Sequence, residues 1–176
     1  MAHFEKKLSS RLIYEGRIIN LLQDSVLLEN GSPALREVVQ HPGGVAVVAA
    51  DRQENLLFVR QFRYPIGHEL LEIPAGKLNY GEDPKSCGLR ELEEETGCRP
   101  SLFVPLGQLL PTPAYLTEVI HLYYAAGLTQ RAQRLDEDEF LSVERIPINQ
   151  AVEMIFSGEI LDAKTQIGVL KYKALR

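Results

Sequence analysis

Glu91, Glu94 and Glu95 fall at i, i+3 and i+4 of the stretch "GEDPKSCGLRELEEETGC", residues 81–98. On a helix, three carboxylates at that spacing leave one face within a few ångströms of each other. Such a face has two chemical readings. It is a solvated acidic surface, or it is a ligand set for a hard divalent cation such as Mg2+ or Mn2+, which takes carboxylate oxygens together with substrate phosphate. Without a cation the arrangement is unfavourable twice over. Like charges at this spacing repel, and Glu94 and Glu95 lie in the last turn, where the helix dipole disfavours negative charge by about 0.3–1 kcal/mol. Glu93 points off this face and reads as a solvated side chain.

The element that must position these carboxylates is well delimited. Asp83 suits an N-cap, Pro84 the first helical position and Gly97 a left-handed stop, which together predict a helix over 84–96. Ahead of it, "RLIYEGRIIN" (11–20) and "DSVLLEN" (24–30) show partial alternation, "NGSP" (30–33) supplies a turn, and "ALREVVQ" (34–40) follows as a strand. "VAVVAA" (45–50), the polar "DRQEN" and "LLFVRQFR" (56–63) predict a second hairpin, and "HELLEIPAG" runs extended into a Pro/Gly break. Beyond the helix, the sequence predicts strands near 102–109 and 118–126, an acidic loop "RLDEDE", a short strand "FLSVE", a helix near 149–157 ended by Gly158, and a last helix over 163–174 capped by Asp162. Strands on both sides of a mid-chain helix, with further helices at the end, predict an α+β chain folded as a three-layer α/β/α sandwich. Residues 1–40 are expected to form a separate small antiparallel sheet and 41–176 the main domain.

Composition narrows the partners. With 176 residues, 45% of them hydrophobic, the chain is long enough to bury a core of its own. A net charge of -5 and a pI near 5.4 argue against general affinity for nucleic acid or an anionic membrane. Any phosphate-bearing ligand must therefore be met by local positive charge. Apolar runs such as "GGVAVVAA" are far below the roughly 20 residues of a bilayer span, and "MAHFEKKLSSRL" lacks the apolar core of a secretory signal, so a cytoplasmic location is expected. Cys87 and Cys98, separated by about 15 Å if the residues between them are helical, are expected as reduced thiols. His3, His41, His68 and His121 show no spacing typical of a zinc site.

Arg36, Arg60 and Arg63 stand in otherwise apolar strands, as ion-pair partners or as contacts to an anionic ligand. Around the helix, Gly76, Glu82, Arg90, Glu91, Leu92, Glu94, Glu95, Gly97 and Cys98 match G-x5-E-x7-R-E-U-x-E-E-x-G-U, where U is bulky and apolar. This resembles the Nudix signature with every spacing kept, and Cys98 is its one loose position. The resemblance implies hydrolysis of a nucleoside diphosphate linked to another moiety. It assigns metal binding to Glu91, Glu94, Glu95 and the backbone carbonyl of Ala75, with Arg90 holding a glutamate in place and Glu82 assisting from the loop. Mg2+ is the expected cofactor, with Mn2+ as the alternative.

Similarity to the ADP-ribose pyrophosphatase branch of the Nudix hydrolases extends across residues 10–170, through "ALREVVQHPGGVAVVA", "LLFVRQFRYPIGHELLEIPAGKL" and "DEDEFLSV". Pro113, sixteen positions beyond Gly97, belongs to the same likeness, although Thr112, Pro113 and Ala114 replace the Ser-Pro-Gly common in the branch. By resemblance, Arg36 and Arg63 contact phosphate, Glu72 touches the ribose end or a water network, and Glu139 is the general base, with Glu137 as the alternative. The branch also implies a homodimer in which the N-terminal strands exchange and help form the adenosine pocket. The expected substrate is ADP-ribose. The same chemistry on a GDP- or UDP-hexose or on a dinucleotide is the nearest rival, and a non-catalytic ADP-ribose sensor is a rival of another class. A sensor would tolerate loss of the glutamates, all of which this chain keeps.

Overall fold

The computed structural model describes residues 3–135 and 139–176 and divides into two compact units, Met1–Gly43 with Leu110–Val119, and Gly44–Leu109 with Ile120–Arg176. In the first, β1 (Lys6–Glu15), β2 (Asn20–Leu27) and β3 (Pro33–Gln40) form an antiparallel sheet in the order β1-β2-β3. One expectation is corrected here. "RLIYEGRIIN" is not a single strand, because the chain reverses at Gly16–Ile19, where the Gly16 amide donates to the Ile19 carbonyl at 3.0 Å. Leu110–Val119 joins this unit through a bridge from Leu116 to Val39, flanked by hydrogen bonds from the Val39 amide to the Tyr115 carbonyl (2.7 Å) and from the Thr117 amide to the Val39 carbonyl (3.0 Å).

The second unit holds β4 (Gly44–Ala49), β5 (Asn55–Arg63), β6 (His68–Glu72), β7 (Ala75–Lys77), α1 (Pro84–Thr96), β8 (Cys98–Arg99), β9 (Leu102–Leu109), β10 (Ile120–Ala126), β11 (Thr129–Gln130), β12 (Leu141–Pro147), α2 (Ile148–Ser157) and α3 (Ala163–Ala174). Its main sheet runs β7-β4-β10-β9, with β4 and β10 parallel, and a second sheet runs β12-β5-β6. The expected hairpin of β4 with β5 is not formed. The two strands belong to different sheets and share only an isolated bridge between Ala50 and Leu56. Both edges of β4 are already taken, by β10 and β7, and all six of its residues are buried, as in a central strand covered on both faces.

Alternation along β4 divides the core. Val45, Val47 and Ala49 pack with Cys87 and Leu92 of α1, whereas Ala46 and Val48, with Ala50 just past the strand, pack with Ile155 of α2 and Val169 and Tyr172 of α3. Helix, sheet and helix are thereby stacked as the three expected layers. The caps of α1 are those the sequence predicts: the Asp83 side chain accepts from the Ser86 amide, Pro84 occupies the first turn, and Gly97 takes the left-handed conformation at φ 68°. α3 is docked by Thr165, whose hydroxyl accepts from the Ile73 amide (2.9 Å) and donates to Asp162 Oδ2 (2.6 Å).

Candidate functional site

α1 lies against β7, and the approach is close enough to require glycine at one point. A Cβ on Gly76 would stand 1.9 Å from Glu91 Cδ and 2.1 Å from its Oε1, so any larger residue would displace that carboxylate. One register position away, the Ala75 amide donates to Glu95 Oε2 at 3.0 Å. Glu95 is 2% exposed, and this bond brings the Ala75 peptide beside it. Three of the four residues expected to hold a metal, Ala75, Glu91 and Glu95, therefore meet at the contact between β7 and α1.

Arg90 gathers the remaining carboxylates. Its Nε and Nη2 donate to Glu82 Oε1 (3.0 Å) and Oε2 (3.2 Å), and its Nη1 stands 2.8 Å from both Glu91 Oε1 and Glu94 Oε2. Glu82 is held from the other side by the Asn79 amide at 2.9 Å. The hydrogen bond from Arg90 lowers the Glu82 pKa. Among the described residues no three His, Cys, Asp or Glu side chains already surround one point in metal-holding geometry. Instead, one guanidinium nitrogen sits between Glu91 and Glu94 as a shared positive charge. Glu93 is not simply solvated, since Arg99 Nε donates to it at 2.5 Å.

Electrostatics link this helix to the downstream loop. Burial pushes the Glu95 carboxyl well above its usual range, and the charges of Glu139 and Glu91 push it further. Glu91 is also raised by burial, against the pull of Arg90, with Glu94 and Glu139 adding repulsion. Glu139 thus stands within electrostatic reach of both, whereas Glu137 lies outside the described residues. The donor set is all hard oxygen, and the buried Glu95 and half-buried Glu91 are loaded with repulsion that a divalent cation would relieve, so these residues fit Mg2+ or Mn2+.

Arg63 and Glu72 form a second centre of the same unit. Arg63 Nε and Nη2 donate to Glu72 Oε1 (2.6 Å) and Oε2 (2.8 Å), and Lys164, which no sequence motif marks, pairs with Glu72 and with Asp162 Oδ1 (3.0 Å). Burial alone would raise the Glu72 pKa, but the hydrogen bond from Arg63 and the charge of Lys164 outweigh it and hold it at about 2. Arg60 is an ion-pair partner of Glu144, at 2.6 Å. Arg36 and Pro113 belong to the first unit, where Arg36 Nε donates to Glu5 Oε2 at 2.9 Å and Pro113 lies exposed in a turn. Both cysteines are free and buried, and burial pushes the Cys87 thiol up to about 12, away from the range of an activated thiolate.

Comparison with known proteins agrees with this geometry. Residues 40–165 match the NUDIX domain, and residues 5–39 match the nucleoside diphosphate sugar hydrolase N-terminal domain. The chain is 42% identical to a methanol dehydrogenase activator of Bacillus methanolicus and 38% identical to an ADP-ribose pyrophosphatase of Bacillus subtilis (strain 168). Each match spans 167 residues, covering 94% of this chain and 90% of the relative. A crystal structure of an ADP compounds hydrolase superposes with a TM-score of 0.85 over 97% of this chain and 93% of that one, at 19% identity, which shows a shared fold.

Proposed function

The chain belongs to the NUDIX domain family, and from that premise we propose that it hydrolyses the pyrophosphate bond of ADP-ribose, giving AMP and ribose 5-phosphate, with Mg2+ as cofactor and Mn2+ as the alternative. The observation that carries the reaction type is the convergence of Ala75, Glu91 and Glu95 at β7 and α1, with Arg90 bridging Glu91 and Glu94. The substrate is supported by the ADP-ribose pyrophosphatase of B. subtilis, which matches 94% of this chain.

In this reading Glu91, Glu94, Glu95 and the Ala75 carbonyl hold the metal. When bound, the metal supplies charge neutralisation of the diphosphate and lowers the pKa of water. Glu139 accepts the proton of the attacking water, a task for which a carboxylate suffices when it is well placed. Arg90 positions Glu91 and Glu94, and Glu82 steadies Arg90. Arg63 meets phosphate oxygens and Glu72 orients it as a bidentate partner, while for Arg36 and Pro113 of the first unit the family resemblance implies phosphate contact and a loop at the ribose. The sequence around Thr112, Pro113 and Ala114 makes the sugar end the part of the site where this chain departs from its branch.

We further propose a cytoplasmic homodimer built on the N-terminal sheet. β1 is exposed at every position, including Leu8, Leu12 and Tyr14, which suits an edge that a second copy covers. The two free, buried thiols accord with a reducing compartment. Substrate assignment is tested by incubating the protein and Mg2+ with a panel of nucleotide sugars and dinucleotides and identifying the products. The reading expects ADP-ribose to be preferred. Equal rates across the panel would overturn the substrate, and no turnover on any member would favour a sensor.

A further inference from the structure

A lysine in the first turn of a helix stands against the helix dipole, which favours negative charge there. α3 nonetheless carries Lys164 in its first turn, two residues past the N-cap Asp162, and no acidic residue shares that turn. Nor is the side chain left to solvent. It is 13% exposed, and it pairs with the Glu72 carboxylate, itself 2% exposed, and with Asp162 Oδ1 at 3.0 Å. Asp162 Oδ2 is occupied separately by the Thr165 amide (2.9 Å) and hydroxyl (2.6 Å). A chain of alternating charge therefore runs from the N-terminus of α3 through Asp162, Lys164 and Glu72 to Arg63. At its open end Arg63 is 38% exposed and gives Nε and Nη2 to Glu72, which leaves its Nη1 without an acceptor among the described residues.

We propose that Lys164 is a positioning residue for substrate binding: it shares the Glu72 carboxylate with Arg63, so that Arg63 is held by its fork without having its charge fully spent, and Nη1 stays free for a phosphate oxygen. The inference rests on the functional reading above, in which Arg63 meets the diphosphate. Without Lys164, Glu72 would pair with Arg63 alone. A one-to-one ion pair offers an incoming anion less attraction than an arginine whose carboxylate is shared with a second cation. The backbone beside Glu72 is fastened by two anchors that do not involve Lys164. The Ile73 amide donates to the Thr165 hydroxyl (2.9 Å), and the Pro74 carbonyl accepts from the Val47 amide (2.8 Å), which holds the chain leading into Ala75. Loss of Lys164 should thus reach substrate binding through Arg63 and leave the contact between β7 and α1 undisturbed.

The test is a double-mutant cycle of Lys164→Met with Arg63→Met, with KM and kcat for ADP-ribose and Mg2+ measured for all four proteins. Calorimetric binding of ADP-ribose in the presence of a chelator is followed in wild type and in Lys164→Met. Lys164→Met is expected to raise KM roughly 10-fold with kcat within about twofold, to weaken metal-free binding by the same factor, and to add no further rise in KM in the Arg63→Met background. Lys164→Gln, which keeps a donor for Glu72 but no charge, takes its place in the cycle should the methionine variant fail to fold, with the same rise in KM expected. An unchanged KM, a fall in kcat with KM unchanged, or the same fold rise of KM in both backgrounds would overturn the positioning role. Absence of turnover by the wild type would overturn the functional reading and this inference with it, an outcome distinct from an active wild type whose KM the substitution leaves unchanged.

Discussion

Glu95 concentrates the conflict of the site, being a carboxylate 2% exposed with one backbone donor and two like-charged neighbours. Its folded-state pKa is raised above the unfolded value, so the folded protein binds the extra proton. Stability from this group is therefore present below the unfolded pKa near 4.5 and is lost as pH rises through the folded value. Metal-free Glu95→Gln should accordingly melt above wild type at neutral and alkaline pH, with the gap closing as pH falls toward 4.5, while turnover is lost. Each 1 kcal/mol recovered corresponds to about 2–4 °C, and titrating Mg2+ into both proteins should narrow the gap by stabilising wild type. Gly76→Ala makes a sharper local demand. Its Cβ would meet Glu91 at 1.9 Å, so activity should fall at least tenfold, as for a displaced metal partner, with the far-ultraviolet circular dichroism unchanged. Glu72 has the opposite sign from Glu95. Its pKa is held at about 2, so its stabilisation should be lost as pH falls from about 4.5 to 2, and Glu72→Gln should flatten that limb of the acid-unfolding curve.

Among the elements, α1 was readable from local sequence because its start, its stop and its chemistry are all written within 81–98. Sheet order was not, since β4 pairs with β10, 76 residues away (Gly44 with Ile120), and local alternation carries no information on a partner that distant. The hairpin expected of β4 and β5 fails for that reason. The glutamate cluster on α1 was legible as residue types at fixed spacing, whereas Glu139 was singled out only by family resemblance, because an acidic loop run by itself reads as solvated surface. Lys164 and Gln133 were not legible, because each makes a tertiary contact that no motif encodes, with Glu72 in one case and the Glu95 carbonyl in the other. Docking of α3 gives a prediction at this scale. Thr165 is fully buried and serves both the Ile73 amide and Asp162, so Thr165→Val should cost about 1–3 kcal/mol in denaturant unfolding by leaving a buried amide unpaired.

At the scale of the whole molecule, the chain comprises a hydrolase unit of three layers and a small sheet with an exposed edge strand. The proposed dimer predicts a particle of twice the 19.8 kDa chain mass in light scattering, and a single species at monomer mass would remove it. An acidic chain meeting a doubly anionic diphosphate requires its metal, so chelation should abolish turnover and added Mg2+ should restore it. The most direct measurement follows AMP release from ADP-ribose with Mg2+ by wild type and Glu95→Gln prepared side by side. AMP and ribose 5-phosphate are expected in equal amounts from wild type, with a loss of at least about 100-fold in Glu95→Gln. Undiminished AMP release by Glu95→Gln, or none by wild type, would contradict this expectation.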